Sequence, residues 1–241
     1  MRLALLSDIH ANLTALDAVL NDMESREIGA VVLLGDLINY GPRPNEVVDR
    51  LRHLGWPILC NIWGNHEYSL FGGSPERFAT DRGRAVLEYT KGILSSDTWE
   101  YLRQMNPEGR EDLSIGAVSI MTLHGTPDDP YWGKFSLNNV EDIIFKQYDY
   151  VLTGHSHIPH YFEHFYPSDD PAYRNKKRTI FINPGSIGQP RDHNPNAQYG
   201  ILDLDTGSYE HCCVKYDVAE EQRLFSEAVD VFYKYRLEKG I

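Results

Sequence analysis

The sequence predicts an α/β fold in which a largely parallel sheet carries helices. Two observations lead there. Short apolar runs alternate with longer amphipathic segments in the order β-α-β-α-β from Leu3 to Ile62. Five polar clusters then each follow an apolar, strand-like run, and sites in open α/β sheets form beyond the carboxyl ends of strands.

Leu3–Leu6 is a continuous apolar run, the pattern of a strand buried on both faces. Asn12 is placed to cap a helix from about Leu13 to Ser25, whose apolar Leu13, Leu16, Val19, Leu20 and Met23 recur at three- and four-residue steps. Gly29 ends that unit and Val31–Leu34 is the next buried strand. Gly41-Pro42-Arg43-Pro44 is a turn, Asn45–Leu54 a second helix and Pro57–Ile62 a third strand. From Glu67 to Arg110 the chain turns rich in Gly, Ser, Arg and aromatics, with helices expected near Arg82–Lys91 and Asp97–Met105. We read 67–110 as a helical insertion over the sheet edge within one domain spanning 1–241. Further strands are expected at Val118–Leu123, Tyr150–Thr153, Thr179–Ile182, Tyr199–Leu202 and Glu210–Tyr216. Asp205-Thr206-Gly207 supplies a hairpin turn. A helix is expected from about Asn139 to Gln147, and an amphipathic one from Ala219 to Lys239.

Hydrophobic residues make up 41% of the 241 and charged residues 24%, a globular balance large enough to bury a core without disulfides. The net charge of −12 repels phosphate backbones, so strong non-specific nucleic-acid binding is not expected. Three cysteines without regular spacing, Cys60, Cys212 and Cys213, suit reduced thiols and a cytoplasmic setting. The apolar run before Ser7 is too short for a signal-peptide core, and no stretch is long enough for a membrane-spanning helix.

The five clusters are Ser7-Asp8-Ile9-His10, Gly35-Asp36, Gly64-Asn65-His66-Glu67, His124-Gly125 and Gly154-His155-Ser156-His157. Asp8 and His10 are two apart, as are His155 and His157, so each pair points to one side of extended backbone. Glycines beside them let the chain turn tightly. A donor set of carboxylate, amide oxygen and imidazole suits manganese, iron, zinc, nickel or cobalt better than magnesium or calcium. Ser7 and Ser156 lack the G-x-S-x-G elbow of a nucleophile and read as hydrogen-bond partners of the cluster.

The ordered blocks D-x-H, G-D, G-N-H-E, H-G and G-H-x-H resemble the calcineurin-like metallophosphoesterase superfamily. Asn183-Pro184-Gly185-Ser186, Gln189-Pro190-Arg191 and Asp36–Pro42 resemble its compact bacterial phosphodiesterase branch. The resemblance implies a four-layer sandwich of two mixed sheets flanked by helices. It implies that Asp8, His10 and His157 hold one divalent metal, that Asn65, His124 and His155 hold another, and that Asp36 bridges them. A hydroxide activated by both metals would then attack a phosphate ester, a small phosphodiester being expected first. His66 would face the substrate, stabilising phosphate charge or protonating the leaving oxygen. Arg191 would contact substrate phosphate through its fork or pair with Asp192 or Asp203. Glu67 would orient His66 or stand in solvent. Tyr40, Phe71, Tyr131 and Trp132 would line a cleft or anchor packing. Phosphomonoesters, phosphoproteins and dinucleoside polyphosphates are alternative substrates, and a non-catalytic scaffold of the same fold is the reading of another class.

Overall fold

A computed structural model describes residues 1–241. Its first sheet contains β1 (Arg2–Leu6), β2 (Ala30–Leu33), β3 (Ile58–Asn61), β9 (Ala197–Asp203) and β10 (Ser208–Val214), ordered β10-β9-β1-β2-β3. β1, β2 and β3 run parallel, because α1 (Leu13–Met23) and α2 (Pro44–Arg52) make the crossovers. β9 and β10 return antiparallel. The second sheet contains β4 (Arg110–Ile115), β5 (Val118–Leu123), β6 (Tyr150–Thr153), β7 (His160–Pro167) and β8 (Lys176–Asn183), ordered β4-β5-β6-β8-β7. Its parallel centre, β5-β6-β8, is flanked by antiparallel edges.

The side-chain alternation of each central strand feeds two cores. Leu3, Leu5, Val32 and Leu34 meet Ile120, Leu152, Ile180 and Ile182 between the sheets. Ala4, Leu6, Val31 and Leu33 point the other way and pack on Leu16, Val19 and Leu20 of α1 and Val47 and Leu51 of α2. On the far side of the second sheet, Met121, Val151 and Phe181 are covered by Phe135, Val140, Phe145 and Tyr148. Burial on both faces explains why these strands read as continuous apolar runs rather than alternations. The expected layered sandwich of two mixed sheets is the observed fold.

Four expectations about elements change. β4 and β7 were not anticipated, because both are edge strands with one face exposed and a polar, aromatic sequence such as His-Tyr-Phe-Glu-His. The helix expected at 139–147 is two 3₁₀ turns, Leu137–Asn139 and Ile143–Gln147. Asp142 accepts from the Ile144 amide there, and such local side-chain bonds compete with a regular helix. The closing helix is broken into α6 (Val218–Arg223) and α7 (Val231–Lys239), because Asp230 accepts from the Phe232 amide and starts a new helix. A short α3 (Asn65–Leu70), not expected from the sequence, opens within the third polar block, ahead of α4 (Asp81–Ile93) and α5 (Ser96–Gln104). No helix is long and apolar enough to cross a membrane.

Candidate metal centre

All seven residues expected to bind metal converge beyond the carboxyl ends of β1, β2, β3, β5 and β6. Their loops are tight. Asp8 (φ 53°), His10 (φ 48°), Asp36 (φ 55°), His155 (φ 63°) and His157 (φ 58°) all occupy the left-handed region, which costs most side chains energy and clusters at functional sites. Close approach demands glycine at Gly64, where a Cβ would stand 2.1 Å from Asp36 Oδ1.

Donor atoms gather in two groups that share Asp36: Asp8, His10, Asp36 and His157 in one, Asp36, His124 and His155 in the other. Asn65 Oδ1 adds to the second group, 3.1 Å from His124 Nε2 and 2.9 Å from His155 Nδ1. Asp36 Oδ1 accepts from the His66 amide at 2.9 Å. Its Oδ2 has no hydrogen-bond partner and lies 3.3 Å from His124 Nε2 and 3.7 Å from His10 Nε2, between the groups. Asp8 is held likewise. Its Oδ2 accepts from Ser7 Oγ and the His155 amide, and its Oδ1 is buried without a partner, 3.2 Å from His157 Nε2.

Backbone carbonyls choose the histidine tautomers. Nδ1 of His10 lies 3.2 Å from Ile38 O, that of His124 2.7 Å from Leu34 O, and that of His157 2.6 Å from Gln189 O. A carbonyl only accepts, so each Nδ1 carries the hydrogen and each Nε2 presents a lone pair to the centre. The Nε2 atoms of His10 and His157 then face each other at 3.1 Å. Two facing lone pairs beside two orphaned carboxylate oxygens repel one another unless a cation stands among them. The residues therefore fit divalent metal ions.

Electrostatics agree in direction. Burial pushes His10 and His157 well below the usual imidazole range, and His155 down to about 3. Burial favours the neutral form of Asp36, yet His124, His66 and His10 together outweigh it and hold this carboxylate ionised. For His124 the same pairing wins over burial and raises it to about 9, so a cation binding there must displace the proton on its Nε2 before that lone pair is available.

His66 is buried beside the centre, its Nε2 3.9 Å from Asp36 Oδ2. Its Nδ1 is 2.6 Å from Asn39 Nδ2, while Asn39 Oδ1 accepts from Thr90 Oγ1 of α4 at 3.0 Å. This chain orients the amide so that Asn39 donates to Nδ1 and leaves Nε2–H as a donor toward the centre. Asn39 belongs to the Asp36–Pro42 run, but its role and that of Thr90 were not legible in the sequence, since only folding brings α4 over the β2 loop. Arg191 lines the adjoining cavity with Tyr40, His66, Phe78, Trp132 and Lys134, a space of about 310 Å³. It forms no ion pair with Asp192, which instead accepts from Gln198, or with Asp203, which accepts from the Asp205 and Thr206 amides.

One sequence reading is corrected and two are narrowed. Glu67 neither orients the His66 ring nor stands in solvent. It is fully buried, and its two oxygens accept from the amides of Asp36, Leu37, Ile38 and Gly64, tying two ligand loops together. A glutamate three residues after a helix-capping glycine is the signal that identifies it. Phe71 stacks on Trp63 at 4.6 Å, and Tyr131 on Tyr68 at 4.0 Å, so both are packing anchors, whereas Tyr40 and Trp132 line the cavity. Ser156 Oγ donates to Ile158 O and does not touch the carboxylates.

Residues 1–207 match the model of the calcineurin-like phosphoesterase superfamily domain. An uncharacterized protein of Methanocaldococcus jannaschii is 32% identical over 224 residues, covering 90% of this chain and 88% of that protein. The phosphodiesterase YfcE of Escherichia coli is 24% identical over 213 residues, covering 85% of this chain and 89% of the enzyme. Among solved structures, a metallophosphoesterase from Sphaerobacter thermophilus superposes with a TM-score of 0.77 at 29% identity, with all of both chains covered. With the layered fold and the paired donor groups already in place, these matches settle the kinship: the chain belongs to the calcineurin-like phosphoesterase superfamily.

Proposed function

We propose that this protein hydrolyses a small phosphodiester using two divalent metal ions. The observation that carries the reading is Asp36, whose unpartnered Oδ2 stands between two donor groups and which lines the adjoining cavity. Asp8, His10 and His157 would hold one ion and Asn65, His124 and His155 the other, with Asp36 common to both. The nitrogen and oxygen donors suit manganese, iron, zinc, nickel or cobalt. Such ions, when bound, supply Lewis acidity at the phosphate and a nucleophile from water at neutral pH.

The chain's own residues do the rest. His66 stands at about 4, pushed down by burial, and is neutral at pH 7. Its Nε2–H therefore serves as a fixed hydrogen-bond donor to a phosphate oxygen, which favours charge stabilisation over proton delivery to the leaving group. The Arg191 guanidinium borders the same cavity and offers a planar fork to a phosphate. A space of about 310 Å³ walled by Tyr40, Phe78 and Trp132 suits a small ester better than a folded phosphoprotein. The diester preference is supported by the phosphodiesterase among the relatives.

The test is hydrolysis of bis(p-nitrophenyl) phosphate and p-nitrophenyl phosphate by manganese-loaded protein, before and after chelation. Diester turnover that chelation abolishes and metal restores is expected. A preference for the monoester removes the diester reading. Inactivity of folded, metal-loaded protein on both esters leaves the scaffold reading.

A further inference from the structure

Two loops contribute Arg77, Phe78, Ala79, Trp132 and Lys134 to the cavity lining, and they are built differently. The loop at 125–134 follows His124 and is held by its own bonds. The Gly125 amide donates to Pro130 O at 2.7 Å, that of Thr126 to Asp129 O at 3.1 Å and that of Gly133 to the same oxygen at 3.0 Å. The strap at 71–80 joins α3 to α4. Between Ser74 and Ala79 its backbone bonds within itself, from Arg77 to Ser74 O and from Phe78 to Pro75 O, and to one side chain, Arg84, which donates to Phe78 O. The strap leaves α3 at Gly72, whose left-handed φ of 95° suits glycine and where nothing stands within 4 Å of a Cβ. A segment tied by so few bonds opens more readily than the core around it.

One ion pair fastens the strap to the loop. Arg77 Nη1 and Nη2 donate to Asp129 Oδ1 and Oδ2 at 3.1 and 2.6 Å. Asp129 Oδ1 also accepts from the Trp132 amide at 3.2 Å, and the Arg77 guanidinium stands 5.4 Å from the Trp132 ring centre. Phe78, next to Arg77, meets the rings of Trp132 and His66 edge to face, each at 5.0 Å. The same carboxylate therefore sets both aromatic walls relative to each other. Phe78 is buried, whereas the Arg77 and Asp129 side chains are 44% and 33% exposed. A pair so exposed adds little to the stability of a fold, but two parallel bonds to a planar fork fix orientation.

We propose that Arg77 and Asp129 form a specificity latch, holding the strap against the 125–134 loop so that Phe78 and Trp132 limit the size of ester that reaches the centre. The proposal rests on the phosphoesterase reading above and names the residues that set its size limit. Both act by position, through the aromatic rings they hold.

The experiment uses manganese-loaded full-length protein and two diesters that share a leaving group and differ in bulk, methyl p-nitrophenyl phosphate and thymidine 5′-(p-nitrophenyl phosphate). Asp129→Asn keeps an acceptor for the Trp132 amide and removes the charge that holds Arg77. It should raise the kcat/KM of the larger ester relative to the smaller about fivefold, the upper end of what a partly exposed ion pair supplies. Arg77→Lys, which keeps the charge without the fork, should fall between Asp129→Asn and wild type. A ratio unmoved in Asp129→Asn, whatever the two rates do together, overturns the proposal, because a merely structural loss slows both esters alike. Hydrogen exchange followed by mass spectrometry gives a readout independent of turnover. Residues 72–80 should exchange about fivefold faster in Asp129→Asn and in Arg77→Gln than in wild type, with the β-strands unchanged. Equal exchange of the strap in all three proteins overturns the latch. Should wild type cleave neither ester, the phosphoesterase reading fails and the size limit with it, while exchange still decides whether the pair holds the strap. If Asp129→Asn does not fold, Arg77→Gln, altered at the more exposed partner, carries both measurements.

Discussion

At the scale of single residues, the centre separates groups that hold charge from groups that act on substrate. Asp36 joins both donor groups, whereas His66 adjoins the centre through Asp36 and the His10 ring and is held from behind by Asn39 and Thr90. Asp36→Asn should therefore empty both metal positions, weakening affinity by more than about 100-fold, beyond the cost of losing an outer hydrogen-bond partner. His66→Ala should keep its metal and lose about 10²–10³ in kcat, the usual cost of removing one charge-stabilising donor. Metal content by mass spectrometry beside steady-state rates separates the two. A His66→Ala protein that comes out of dialysis without metal would reverse the assignment. The neutral state of His66 also sharpens its role, since the sequence allowed either a donor or an acid.

At the scale of elements, β7 shows what an edge strand tolerates and what it charges for. Its His160 stacks on Phe162 at 4.8 Å, beside Phe135, and its Nε2 is buried without a partner. Burial lowers the ring to about 4, below the ordinary imidazole value near 6.5. The unfolded chain then binds a proton between those values and the native ring does not. Stability from this residue is complete above about pH 6.5 and is lost as the pH falls toward 4. Between pH 7.5 and pH 5 wild type should lose up to about 2 kcal/mol more than His160→Phe in urea unfolding. The buried histidines of the metal centre carry the same sign, so only the difference between the two proteins reports on His160. A constant difference across that range would show that the ring is solvated.

At the scale of the whole molecule, five loops from two sheets meet at one centre, where a bound metal would tie them. Asp8 and Asp36 are buried carboxylates, and Glu67 spans the loops at 36–38 and 64. Ions that bind only the native chain stabilise it by about 3 kcal/mol at 100 times their Kd. For a chain of this length that corresponds to about 5–10 °C in Tm. Chelation should lower Tm by that amount, readdition of manganese should restore it, and Asp36→Asn should respond to neither. Differential scanning calorimetry of the three samples checks this, and an identical Tm with and without chelator would mean that the loops hold their shape unaided.

The sequence by itself determined the central strands of the two sheets and the residues that gather at the candidate centre. Burial on both faces leaves an uninterrupted apolar run, and each polar block sits where such a run stops. It could also name His66 and Arg191, because short motifs are local. Tertiary structure alone decided what surrounds them. Glu67 is legible as a residue type, but its partners at Asp36–Ile38 lie about thirty positions away and meet it only across the sheet. Thr90 belongs to a helix whose sequence shows only amphipathic spacing, and its meaning comes from the loop it packs against. β4 and β7 escaped notice because an exposed strand face writes no apolar pattern. Periodicity records how much of a residue is buried, and only the folded chain records against what.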